Sequence, residues 1–181
     1  MLTRHEIDTA IPKVKVGLAK YQHLRHLIRT RPRFAHERAF QRAFNGFYRV
    51  RRNVDWQRAF YATFARCHRR PLTFAQVLRH VRRTTGRTEA SFASKLVATL
   101  DASQPVIDSV VLSKLGLSLP ATQDARRQER IVRLHALLGR RYVKFLKTAN
   151  GRYLVRSFRR RYGTQRLTRI KMLDFVLWQT R

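Results

Sequence analysis

The sequence contains a single cysteine, Cys67, in 181 residues. That excludes an internal disulfide, a four-cysteine iron–sulfur cluster and a zinc ribbon, and it fits a reducing compartment. Long apolar runs are missing too. None approaches the roughly 18 uncharged apolar residues of a membrane span, and the stretch after Met1 to Ala10 lacks the apolar core of a signal peptide. The expectation is a cytoplasmic protein with no membrane partner. There is no glycine-rich loop to cradle a phosphate and no serine- or cysteine-nucleophile motif, which argues against nucleotide hydrolysis. Alternating apolar and polar residues, the mark of a half-buried strand, are also absent. Acids are scarce, with 10 Asp and Glu against 40 Lys and Arg and a formal net charge of +30.

What is present is a core. Hydrophobic residues make up 44% of the chain and include 11 Phe, 6 Tyr and 2 Trp, a content a disordered basic tail does not carry. A chain of this length has room for one domain, 1–181, that removes on the order of 70% of its unfolded surface from water. A charge of +30 repels itself unless a polyanion neutralises it, so the expected partner is nucleic acid or, less often, anionic lipid. Of the 40 basic residues 32 are Arg. The planar guanidinium suits phosphate oxygens; arginine-rich codon usage explains Arg over Lys equally well but leaves the net charge unexplained.

Apolar residues recur at three and four, so the chain reads as all-α. Helices are expected over Val14 to Ile28, near Ala35 to Phe47 with Phe40, Phe44 and Phe47 on one face, and after Asn53 with Trp56, Phe60 and Phe64. Thr73 and Gln76 have the capping-box spacing, with Gly86 as the stop. Further helices are expected from Glu89 to Leu100, with Phe92, Ala93, Leu96 and Leu100 buried, from Asp108 to Gly116, from Thr122 toward Thr148, through "NGRYLVRSFRRRYG", and in "TRIKMLDFVLW", whose apolar residues lie nearly all round.

One segment departs from the basic coat. From Thr88 to Ala125 there are two bases, Lys95 and Lys114, and four acids, Glu89, Asp101, Asp108 and Asp124. Within it Asp108 stands in the apolar phrase "QPVIDSVVLSKLGL". As an N-cap, its oxygen accepts first-turn N–H groups and "IDSVVLSKLG" is a helix with a glycine stop. A catalytic role is the alternative reading of the same residue, flanked by Val106, Ile107 and Val110. Glu89 is the rival carboxylate, either answering a helix dipole or lining the same pocket. Asp174 shares a face with Ile170, Leu173 and Leu177, where a buried pair with an arginine is expected.

"PVIDSVVLSKLGL" resembles the stretch of helix-hairpin-helix DNA glycosylases in which a proline, an apolar residue and an essential aspartate begin a helix ending in an "LGL"-like turn. "TGRTEASFASKLVATL" resembles their glycine-containing turn and the helix after it. The phrases "FNGFYRVRRN", "EASFASKLVATL", "FLKTAN" and "IKMLDFVLW" are similar to a group of uncharacterised bacterial proteins with an 8-oxoguanine glycosylase-like fold, over about Phe44 to Trp178. The resemblance implies a single multi-helix domain with a DNA-repair hydrolase activity, in which Asp108 stabilises the oxocarbenium-like sugar and orients or deprotonates water. Two departures stand out. Only Gly86 is present where two glycines flank an apolar residue, and Thr88 occupies the place of the lysine of lyase-type members. Without that lysine the resemblance implies base hydrolysis that leaves the strand intact.

"FYRVRRNVDW" interleaves Phe47, Tyr48 and Trp56 with Arg49, Arg51 and Arg52, and "RSFRRRYG" carries Arg156, Arg159, Arg160 and Arg161. Guanidiniums for phosphates and rings for stacking suit a nucleic-acid surface, DNA favoured over RNA; the alternative is core rings beneath a solvated basic face. Arg87 beside Gly86 and Lys95 on the following helix complete the candidate phosphate contacts. His23 and His26 have helical spacing, but no acid or cysteine lies near to complete a metal set. Neither a metal nor a small-molecule cofactor is expected.

Overall fold

The structure is a computed structural model and describes residues 1–163 and 167–180. Among the described residues it is all-helical, with no strand. The expected all-α class is therefore what the chain adopts. Ten α-helices run in the order α1 (Arg4–Ala10), α2 (Lys15–Thr30), α3 (Arg38–Tyr48), α4 (Val54–Arg69), α5 (Phe74–Thr85), α6 (Ala90–Leu100), α7 (Ser109–Lys114), α8 (Arg127–Leu146), α9 (Ala149–Tyr162) and α10 (Arg169–Trp178). They fall into two compact units: a central one, Val16–Leu100, and a terminal one, Met1–Lys15 with Asp101–Arg181.

Local sequence sets the helix ends of the central unit. Asn53 Oδ1 accepts the Trp56 N–H at 3.0 Å and opens α4. At α5 the Thr73 N–H donates to Gln76 Oε1 at 2.9 Å while the Gln76 N–H returns to Thr73 Oγ1 at 3.3 Å, so two first-turn donors are satisfied reciprocally. Gly86, at φ 71°, ends α5 in the left-handed region that a glycine enters without a Cβ clash.

Between these helices sits an aromatic core. Phe34 meets Phe40 edge-on at 4.5 Å, and Phe64 lies 5.2 Å from Phe40 and 5.3 Å from Phe44 in T-shaped contacts. Each such ring contributes roughly 1.5–3 kcal/mol by burial, with edge-to-face geometry adding about 0.5–1.5 kcal/mol per pair. The expected face of Phe40, Phe44 and Phe47 is corrected by one position. Tyr48, four residues after Phe44, takes the buried place, and Phe47 is half-buried beside Tyr21. On α6, Ala93 and Leu96 are buried as expected, whereas Phe92 and Leu100 are half-buried.

In the terminal unit α10 is buried from Lys171 to Leu177, matching its apolar circumference, and packs on α7, α8, α9 and α1. Helix α1, not expected from the apolar pattern, is opened by a capping box of Thr3 and Glu6, the same signal that marked α5. Tyr153 donates to Asp8 Oδ1 at 2.8 Å, Asn150 Nδ2 to the Leu2 carbonyl at 3.1 Å, and Tyr162 to the Ile11 carbonyl at 2.7 Å, fastening α9 to the N-terminal segment. Helix α8 begins at Arg127 rather than near Thr122, because Asp124 Oδ1 accepts the Arg126 N–H at 2.8 Å and folds that stretch into a turn. The tight connection from α8 to α9 requires Gly151, where a Cβ would lie 2.1 Å from the Phe145 carbonyl oxygen.

Candidate functional site

Asp108 lies in the terminal unit as the N-cap of α7. Its Oδ1 accepts the Val110 N–H at 2.9 Å and its carbonyl accepts the Leu112 N–H at 2.9 Å. The residue is half-buried, while Val106, Ile107 and Val111 around it are fully buried. The geometry is that of the capping reading: a capping bond fixes one carboxylate oxygen in an apolar frame, and among the described residues no donor reaches the other.

Asp108 shares with Asp8 the lack of a cation within 4.0 Å among the described residues. Seven of the ten acids hold a Lys or Arg within 4.0 Å: Glu6, Glu37, Asp55, Glu89, Asp124, Glu129 and Asp174. Asp108 holds none among the described residues, in a chain with 40 bases. An unpaired carboxylate keeps its full field for a charge that arrives later.

Close to Asp108 is a buried polar cluster. Tyr142 of α8 donates its hydroxyl to Asp174 Oδ1 at 2.8 Å, and Lys171 Nζ donates to Asp174 Oδ2 at 3.0 Å. Asp174 was expected to pair with an arginine. Its partner is Lys171, one helical turn earlier at i−3 on α10, since an ammonium on a flexible stem closes this short span inside one helix. Burial pushes the Asp174 carboxyl above its ordinary range, against the pull of Lys171. Burial, then the Asp174 charge, and finally the charge of Asp108 itself, push the Tyr142 hydroxyl well above its usual value. Tyr142 was not singled out from sequence, because a tyrosine in an apolar helical stripe carries no pattern of its own.

Glu89 belongs to the central unit, just ahead of α6. Its Oε1 lies 3.0 Å from Arg52 Nη2 and 3.4 Å from Arg87 Nε, and its side chain is 12% exposed. Two guanidiniums thus occupy the carboxylate, so Glu89 organises arginines. Arg52 also stands 5.4 Å above the Phe92 ring and 5.8 Å from Trp56, and Lys95 Nζ lies 5.1 Å from Phe92 and 5.7 Å from Tyr48. The structure therefore brings Arg52 and Lys95 over a shared aromatic ring, Phe92, with Glu89 joining Arg52 to Arg87. Trp56 is 7% exposed and Tyr48 4%, so these rings are core rather than stacking platforms.

The remaining basic candidates are exposed. Arg51 follows α3, and Arg156, Arg159 and Arg160 lie on α9 of the terminal unit. Arg49 closes α3 at φ 54°, the single positive-φ residue other than glycine among the described residues. A left-handed backbone costs a non-glycine residue roughly 1–2 kcal/mol. His23 and His26 are exposed, and no group of three or more His, Cys, Asp or Glu able to hold a metal occurs among the described residues.

No family model, curated protein or solved structure matches the chain. What bears on function is the chain's own chemistry. That chemistry comprises an anchored, unpaired carboxylate in the terminal unit, a cation–aromatic cluster in the central unit, and a large excess of guanidinium in both. Among the described residues no helix is long and apolar enough to cross a membrane.

Proposed function

We propose that the protein binds nucleic acid, DNA in preference to RNA, and hydrolyses the N-glycosidic bond of a base extruded from the stack, with Asp108 as the essential carboxylate. The observation that carries the proposal is the state of Asp108, fixed by the Val110 N–H, framed by buried aliphatic side chains and without a cation partner among the described residues. In such a reaction the C1′–N bond breaks as water adds its oxygen to C1′, the base leaves with the bonding electrons, and positive charge builds on the sugar. A carboxylate at that position offsets the charge and accepts the proton that water loses. A carboxylate already neutralised by arginine, as Glu89 is, would do neither.

Net charge supplies the binding half. The central unit carries 19 Lys and Arg against three acids, a net of +16, and the terminal unit carries the remaining +14. Extruding a base costs a few kcal/mol of stacking, which phosphate contacts from such a surface can offset. Thr88 stands at the place of the lysine of lyase-type members, so the reaction assigned is hydrolysis without strand cleavage.

A second reading is a non-enzymatic DNA- or RNA-binding protein. It is favoured by the capping bond itself, since an Asp that satisfies a helix N-terminus already has a structural use. Mass spectrometry of bases released from genomic DNA and from a panel of lesion-containing duplexes separates the two. Release of a defined base supports the hydrolase; steeply salt-dependent binding with no release from any substrate leaves the binding protein.

A further inference from the structure

Four arginines outside the candidate residues converge on one concavity. Arg66 and Arg70, at the end of α4 and just after it, face Arg79 and Arg83 of α5 across a depression of about 220 Å³ that Gln76 and His80 also line. A single water needs about 10–15 Å³ on this measure, so the space admits a tetrahedral oxyanion with part of its hydration. Arg79 and Arg83, four residues apart within α5, share one helix face, while Arg66 lies in the last turn of α4 and Arg70 follows that helix in extended backbone. Packing of α4 against α5 then sets the two pairs opposite each other.

No acid lines the depression, and none of the four arginines has an ion pair among the described residues. The same arrangement acts on His80. His80 is half-buried, and its imidazole is pushed below its ordinary range by burial first and then by the positive charges of Arg66 and Arg83. Packing and a cap hold the α5 wall in place. Phe74, Val77, Leu78 and Val81 bury the opposite face of α5, and the Thr73–Gln76 capping box fixes its first turn. Such a notch holds guanidiniums together at a cost in mutual repulsion that an anion relieves.

We propose that the α4–α5 notch binds a phosphate-class oxyanion, supplied by the backbone of the nucleic acid that the protein binds. The inference rests on the nucleic-acid reading above and adds to it a defined phosphate site. Several guanidiniums around one phosphate position the duplex without reading its bases.

The test compares the Arg79→Gln/Arg83→Gln double variant with Arg38→Gln/Arg42→Gln. The control pair has the same spacing and charge change and lies exposed on α3. Affinity for a short labelled duplex is measured across a salt series, with circular dichroism confirming that each variant is helical. The notch pair is expected to weaken binding about tenfold and to flatten the salt slope by about 1, the control pair by much less. Equal losses in both pairs, with wild-type binding intact, overturn the notch and leave the nucleic-acid reading standing. Wild type that binds no duplex removes that reading and the inference with it. In parallel, the His80 ring resonances are followed by NMR during titration with inorganic phosphate. A response that the duplex competes away supports the backbone as the source; one that the duplex leaves untouched assigns the notch to a free phosphate and overturns the proposal.

Discussion

Lys171 Nζ stands 3.0 Å from Asp174 Oδ2 with the lysine side chain 1% and the aspartate 0% exposed, and the Tyr142 hydroxyl holds the other carboxylate oxygen at 2.8 Å. Removing one member of such a group leaves a buried charge uncompensated, whereas replacing all of it with apolar side chains does not. Lys171→Met is therefore expected to lose about 3–5 kcal/mol of stability in urea unfolding. The triple variant Lys171→Met/Asp174→Leu/Tyr142→Phe should recover most of that loss. Equal destabilisation of the two would show that the group stabilises the fold by more than mutual neutralisation.

Acid should weaken the terminal unit through two groups. Burial pushes the His135 imidazole down to about 4 from its ordinary 6.5, against a hydrogen bond to the Pro105 carbonyl at 3.1 Å. Between those values the unfolded chain binds a proton that the folded one refuses, so stability falls as pH drops from 6.5 toward 4. The loss is at most roughly 3 kcal/mol. His135→Gln, which keeps a donor for Pro105, should flatten the stability profile in that window.

Glu6 acts lower. Its hydrogen bond from Lys114, ahead of those from Thr3, holds its carboxyl down to about 2 from 4.5. A lowered carboxyl stabilises the fold above its unfolded value and loses that contribution as pH falls through the folded one. Glu6→Gln should therefore remove acid sensitivity between about 4.5 and 2 while lowering stability at neutral pH, read from acid-unfolding midpoints.

Arg49 is expected to show function traded against stability. A glycine there would relieve the left-handed strain at φ 54°. Arg49→Gly should raise stability by up to about 1 kcal/mol and weaken duplex binding with a slope change near 1. Unchanged binding would remove Arg49 from the phosphate-contacting set.

How far the chain could be read from its letters follows the range of the forces involved. The caps at Asn53, Thr73 and Asp108 and the glycine stop at Gly86 were legible because each is satisfied within four residues of itself. Helix α1 carried the same Thr3–Glu6 signal ahead of only two buried residues, Ile7 and Ala10, too few to show a period. Glu89 appeared as a free rival to Asp108 because Arg52, 37 positions earlier, is brought to it only by packing. The arginine notch was invisible for the same reason, since α4 and α5 must fold together before Arg66 meets Arg83. Asp174 and Lys171 are within reach at three residues apart, but with 32 of the 40 bases Arg, composition favours an arginine partner.

The most direct measurement is base release by wild type and by Asp108→Asn at matched DNA occupancy. Asparagine caps a helix about as well as aspartate, so α7 should hold and the two proteins should bind alike. The account predicts release of a base by wild type and its loss, by on the order of a hundredfold or more, in the variant. Equal release by both, or none from either while binding persists, would contradict the assignment of Asp108 as the essential carboxylate.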